Sequence, residues 1–274
     1  MIDQNDANEA TRDVLHRLAL KTKGMTGADI ARLVREARHK ARRGSRQLAF
    51  SDIYDILTSA RPDRPQPLRW RMAIHEAGHA VARLVLELGR VISISIDGLA
   101  GGYTAGETPT MEAETAGFFK GLLVIGLAGR AAEDELLGSV TAGAGGSPDS
   151  DLAQATELAM AMETALGFAG TCPLLYRPVE DRSSLLAYNP LLAERVSARL
   201  DEAYDRARDL IRRNTDAILL LAKALMAHDT LEGLDLIAVL REVKKRIVSD
   251  ACERVGDDCG TSDIPLDAVD SEKP

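Results

Sequence analysis

Aromatic residues are scarce in this chain: one Trp, five Tyr and four Phe make up 4% of its 274 residues. So thin a supply does not provide the stacking platforms of a nucleic-acid surface, and that class of function is excluded. Cysteine is scarcer still. Cys172, Cys252 and Cys259 form no Cys-x-x-Cys pair, and an odd number closes no disulfide framework. Reduced thiols of a cytoplasmic protein are expected. Long apolar runs are missing as well. The longest, around Gly121–Ala128, is far too short to cross a bilayer, and no signal peptide opens the chain. The formal net charge is −8, unevenly spread: residues 1–60 carry 11 Lys and Arg against 8 Asp and Glu, and the remainder is acidic. Two units with different surfaces are expected.

Histidine is also rare, five in all, yet two of the five stand four residues apart in His75-Glu76-Ala77-Gly78-His79. Residues four apart on a helix project from the same face, one turn above the other. Both imidazoles can therefore reach one zinc ion, with Glu76 beside it to take a proton from water. A hydrolytic zinc site takes a third protein ligand and leaves a fourth position open. An extended His-Glu-x-x-His-x-x-Gly-x-x-His pattern would need glycine at 82 and histidine at 85, where this chain has Ala82 and Val85. A Glu on a helix some 20 residues downstream fits poorly, because Asp97–Thr104 reads as turn and strand. The candidates are Asp149, Asp151 and Glu157, near the start of a helix that follows a glycine-rich loop. An Asp in a first helical turn also serves the helix dipole without any metal.

The pattern along the chain is mainly helical. Residues 7–20 have helical apolar spacing, and Thr26 is placed to cap a helix to about Arg43. That helix would bury Ile30, Leu33, Val34 and Ala37 and turn a basic face (Arg32, Arg35, Arg38, Lys40, Arg42, Arg43) to solvent. Ser51 is placed to cap a short helix to Ala60. The three prolines in residues 61–67 predict a stiff linker and a domain boundary. Helices are then predicted over about 69–88, 112–137, 151–166, 190–213, 215–228 and, capped by Asp229-Thr230, 231–247. Val91–Ile96 alternates as a strand, and Gly101–Thr104 reads as a second, exposed one. From Ser249 the chain holds eight acids, two bases and no aromatic, and it is expected to be a disordered tail.

Several stretches resemble the FtsH family of ATP-dependent zinc proteases. Ala-Ile-His-Glu-Ala-Gly-His-Ala (73–80) is similar to its zinc helix and Leu-Ala-Gly-Arg-Ala-Ala-Glu (127–133) to its next long helix. Val-Thr-Ala-Gly-Ala (140–144) followed by Asp-Leu-Ala-Gln-Ala-Thr (151–156) is similar to its third-ligand segment, and Thr-Leu-Glu-Gly (230–233) to a motif near its end. The loop before Asp151 is a few residues longer than the family pattern. Gly-Met-Thr-Gly-Ala-Asp-Ile-Ala-Arg-Leu-Val-Arg-Glu-Ala (24–37) resembles the helical lid of an AAA ATPase. The chain lacks a Gly-x-x-x-x-Gly-Lys-[Ser/Thr] phosphate loop, so ATP hydrolysis by this chain alone is not expected.

The resemblance implies a mainly α fold: a lid-like unit over 1–60, a linker over 61–68, a helical peptidase domain with a small β-sheet over 69–248, and the tail over 249–274. It implies one zinc ion on His75, His79 and Asp151, Glu76 as catalytic base, and an extended substrate against Gly101, Gly102, Tyr103 and Thr104. It further implies metalloendopeptidase activity on unfolded proteins, a hexameric homo-oligomer and a cytoplasmic location. The alternative is a non-catalytic module that joins full-length relatives in their rings.

Overall fold

A computed structural model describes residues 25–59, 64–98, 101–107, 114–142, 145–177 and 188–248, together with 15, 18, 22 and 186. The helix expected over 7–20, the tail beyond Val248, and Cys252 and Cys259 lie largely or wholly outside that set. The described residues form eight helices and three strands: α1 (Gly27–Arg43), α2 (Phe50–Ser59), α3 (Gln66–Val85), β1 (Arg90–Gly98), β2 (Gly101–Glu107), α4 (Ala116–Leu137), α5 (Asp151–Thr164), α6 (Pro190–Arg213), α7 (Thr215–His228), β3 (Thr230–Glu232) and α8 (Gly233–Lys244).

The N-terminal pair starts where its chemistry says it should. Thr26 and Asp29 form a reciprocal capping box, each side chain answering the other's backbone N–H. Leu33, Ala37 and Ala41 are buried, but Ile30 is exposed, so the apolar stripe runs one turn further toward the C-terminus than its spacing predicted. Ser51 is not a cap, because α2 already begins at Phe50. The neighbouring carboxylate does the local work. Asp52 is 1% exposed and accepts two bonds from Arg46, at 2.5 and 2.6 Å, and a third from the Ala49 N–H.

The linker is shorter than the prolines suggested. α3 begins at Gln66, with Pro65 as its N-cap and Pro67 inside the first turn. The missing N–H of a proline is no loss there, since first-turn N–H groups have no partner within the helix. Arg64 precedes this helix and donates to the carbonyls of Ile96 and Gly98, which ties the start of α3 to the end of β1.

α3 is the hub and packs against α4, α7, β1 and β2. It has little exposed surface from Ala73 to Ala82, and Ile74 and Val81 are wholly buried. Gly78 is the reason α4 can come so close. A Cβ at that position would lie 2.7 Å from the Ala128 carbonyl oxygen and 2.8 Å from the Ala132 Cβ. α4 is capped by Thr115 and stopped by Gly138 in the left-handed conformation, φ 67°. It lies between α3 and α6, and α5 packs on both α4 and α6. Glu163 of α5, itself buried, accepts from Arg195 and Arg199 of α6 and so fixes that last contact.

The sheet is antiparallel in the order β2-β1-β3, which leaves β2 at an edge. Ile94 of β1 pairs with Thr104 of β2 and with Leu231 of β3. β3 corrects the sequence reading, which began a helix at Leu231. Asp229 takes a left-handed φ of 58°, and Arg69 holds its carboxylate at 2.5 Å. This turn sends Thr230–Glu232 into the sheet before α8 starts at Gly233. β2 also runs to Glu107, three residues beyond the predicted Thr104.

Candidate metal centre

His75 and His79 lie on the face of α3 that looks toward α4 and the start of α5. Each ring has its Nδ1 engaged from behind. The His79 Nδ1–H donates to the Ile125 carbonyl at 2.7 Å, and the His75 Nδ1–H donates to Glu133 at 2.9 Å. With Nδ1 protonated, the neutral ring presents a bare Nε2 lone pair on its other side. Those lone pairs converge: the two Nε2 atoms are 3.1 Å apart, and Asp151 Oδ2 is 3.0 Å from one and 3.4 Å from the other. Tetrahedral bonds of about 2.0–2.1 Å to zinc imply ligand–ligand separations of about 3.3–3.4 Å. The triangle matches that scale, and these three residues form a group that could hold a metal ion.

Three features keep this pocket in shape. Ser150 caps α5 by accepting from the Ala153 N–H and donates its hydroxyl to the Ser147 carbonyl, so Asp151 is the first helical residue and its carboxylate turns toward the histidines. Glu133 of α4 is buried and accepts from His75, from Arg71 at 2.9 Å and from the backbone and hydroxyl of Thr141. Gly129 of α4 faces the rings directly, since a Cβ there would lie 2.6 Å from His75 Nε2 and crowd His79 Nε2 as well. The space between these ring nitrogens and α4 is thus partly the space of an absent methyl group.

Glu76 turns its carboxylate toward β2. Its carboxylate accepts from the Thr104 hydroxyl at 2.9 Å, and its other oxygen sits against Gly102. Burial pushes the Glu76 carboxyl up, against the pull of His79, His75 and Thr104. Burial would likewise favour a neutral His75, but Asp151, Glu133 and nearby Glu76 outweigh it and raise the ring to about 10. Asp151 and Glu133 are lowered despite burial, Asp151 chiefly by the two histidines and Glu133 chiefly by His75 and Arg71.

All of this opens into a cleft of about 700 Å³, with Gly101–Thr104 on one wall and Asp149, Ser150 and Gln154 on the other. Asp149 is exposed on the rim, its backbone held by Ser147 and Gln154, and it does not join the His75–His79–Asp151 group. Glu157 lies further along α5 on an adjoining groove, also outside the group. Glu133, Gly129 and Ile125 carried no assigned role in the sequence reading. The first two stand in the Leu127–Glu133 stretch that resembles the family's long helix, and that resemblance is their one signal in the sequence. Ile125 acts through its carbonyl and leaves none.

The profile of peptidase family M41 matches residues 66–239. The chain belongs to that family. A second profile, the AAA+ lid domain, matches residues 13–55. Among similar proteins, the ATP-dependent zinc metalloprotease FtsH of Chloroflexus aggregans is 32% identical over 84% of this chain and 39% of its own length. FtsH 2 of Symbiobacterium thermophilum is 34% identical over 82% and 41%, and the chloroplastic FTSH 6 of Arabidopsis thaliana is 31% identical over 82% and 36%. The chain therefore spans about two-fifths of the length of these relatives. No described helix is long and apolar enough to cross a membrane.

Proposed function

We propose that this M41 chain is a zinc-dependent endopeptidase that cuts extended or unfolded polypeptide. The observation that carries the reading is the convergence of His75 Nε2, His79 Nε2 and Asp151 Oδ2 within 3.0–3.4 Å, beside a buried carboxylate and an edge strand. In this reading those three atoms hold the ion, which supplies Lewis-acid polarisation of the scissile carbonyl and acidification of the attacking water.

The protein's own groups do the rest. β2 offers backbone N–H and C=O groups from Gly101 to Thr104 to an extended peptide, which aligns one bond over the histidines with little demand on side chains. Glu76 accepts a proton from the attacking water and passes it to the leaving nitrogen. Its raised proton affinity suits a base that must hold that proton between the two steps. Glu133 keeps the His75 ring in the tautomer that directs Nε2 forward. We assign residues 66–248 to this peptidase unit and 25–59 to a lid unit, and we place the chain in a homo-oligomer. ATP dependence belongs to the longer relatives by name.

The test uses unstructured casein, which needs no unfolding engine. Stoichiometric zinc, cleavage abolished by a chelator, and at least about 100-fold loss in Glu76→Gln with zinc retained are the expected results. Zinc binding without hydrolysis by the unaltered chain would end the catalytic half of the reading.

A further inference from the structure

Thr104 was expected to serve substrate through its backbone, but its side chain does something else. Its hydroxyl lies 2.9 Å from Glu76 Oε2 and 3.0 Å from the Glu76 main-chain oxygen. On the same face of β2, two residues back, Gly102 leaves room for the second carboxylate oxygen: a Cβ there would lie 2.5 Å from Oε1. Thr104 pairs with Ile94, whose side chain is wholly buried. Side chains alternate along a strand, so Gly102 and Thr104 share one face while the neighbouring backbone groups point along the sheet. The Glu76 carboxylate is thus gripped from one side by a hydroxyl and from the other by a bare Cα, both on the strand that forms the cleft wall.

We propose that Thr104 is a positioning residue for Glu76, and that β2 both docks the peptide and holds the base that acts on it. The inference rests on the proposed peptidase reading. A hydroxyl carries one hydrogen, and here both acceptors belong to the same residue. While Glu76 is a carboxylate, the hydroxyl donates to Oε2. When Glu76 takes the proton of the attacking water, that proton occupies a carboxyl oxygen and the hydroxyl hydrogen turns to the main-chain carbonyl. As the proton leaves for the amine nitrogen, the hydroxyl returns to Oε2. Thr104 keeps its own proton throughout, so water loses one and the leaving nitrogen gains one. The arrangement supports both protonation states of Glu76 without a backbone movement. Because the grip comes from the docking strand, the carboxylate keeps its register with the peptide bond laid along β2.

The experiment compares Thr104→Val with Thr104→Ser in the full zinc-loaded chain. Valine keeps the shape and loses the hydroxyl, and serine does the reverse. Zinc content and melting temperature establish that each variant is folded, and Thr104→Ala replaces the valine variant if that one is not. With an unstructured fluorogenic peptide, Thr104→Val should lose about 10- to 100-fold in kcat with KM within about twofold, the size expected for a lost hydrogen bond to a charged group. Thr104→Ser should return kcat to within about threefold of the unaltered chain. Crystal structures supply a readout independent of turnover: the Glu76 carboxylate should leave β2 in the valine variant and stay in the serine variant. Unchanged kcat in Thr104→Val, a loss carried by KM, or a serine variant as slow as valine overturns the proposal. If the unaltered chain cleaves nothing, the peptidase reading fails. The crystal structures still decide the role of Thr104, since an unmoved Glu76 in Thr104→Val refutes it.

Discussion

Gly129→Ala should separate metal binding from folding. Glycine within a helix costs roughly 1 kcal/mol relative to alanine, so α4 carries it at a loss unless the bare Cα serves something else. A Cβ at 129 would stand 2.6 Å from His75 Nε2, where ordinary contact begins near 3.4 Å; the ring would have to retreat by the difference, about 0.8 Å (3.4 − 2.6). That movement pulls against the tethers behind the rings. The His75 Nδ1 is held by Glu133 and the His79 Nδ1 by the Ile125 carbonyl. Metal–ligand distances tolerate only about 0.2 Å, so the displaced rings no longer fit one ion. We expect zinc affinity to fall at least about 100-fold, or about 2.7 kcal/mol. Stability in chelator should stay within about 1 kcal/mol of the unaltered chain, because improved helix propensity offsets local crowding. Competition against a chromophoric chelator reads the first quantity and thermal denaturation in chelator the second. A variant that keeps full zinc affinity would refute the argument that the glycine makes room for the ion. One that loses zinc because it no longer folds would refute the claim that the two can be separated.

Asp151→Ala should lose zinc while Asp149→Ala retains it, as metal analysis of the purified variants will read; the reverse result would move the third ligand to the cleft rim. Gly78→Ala should destabilise the fold by about 1–3 kcal/mol in chemical denaturation, because the Ala128 carbonyl leaves the new methyl no space. In the metal-free protein, His75 is raised from its ordinary 6.5 to about 10. That contribution to stability is full below pH 6.5 and fades as pH rises through about 10, which denaturation of the chelated protein across that range measures. Zinc must displace the same proton, so its apparent affinity should climb about tenfold per pH unit over that window, read by competition titration.

The paired histidines were legible because helical spacing is local: four residues along the chain fix one face of α3. Asp151 lies 76 positions from His75, and only the fold brings α5 to α3. Local rules left it level with Asp149 and Glu157, and it was the resemblance of the 151–156 stretch that singled it out. β3 was missed because three residues carry no periodicity, and its cause is a tertiary clamp, Arg69 on Asp229. The start of α3 is hidden in the sequence because proline breaks a helix interior, yet within a first turn it is harmless. The basic face of α1 was legible from its charges, whereas the exact apolar stripe depended on what α2 covers. Glu163 and its two arginines gave no sign at all, since a buried carboxylate in a helix looks like any surface one until α6 arrives.

The convergence of α3 and α5 on one point has a mechanical side. An ion bound there would join His79 to Asp151 and close a loop of 72 residues, as a disulfide does but reversibly. By the chain-entropy relation used for disulfides, fastening a loop of that length is worth about 4 kcal/mol against the unfolded ensemble. Zinc in this fold would then be a staple as well as a reagent. Chelation would loosen the seam between α5 and α3 first, long before the core around Ile74 and Val81 gives way.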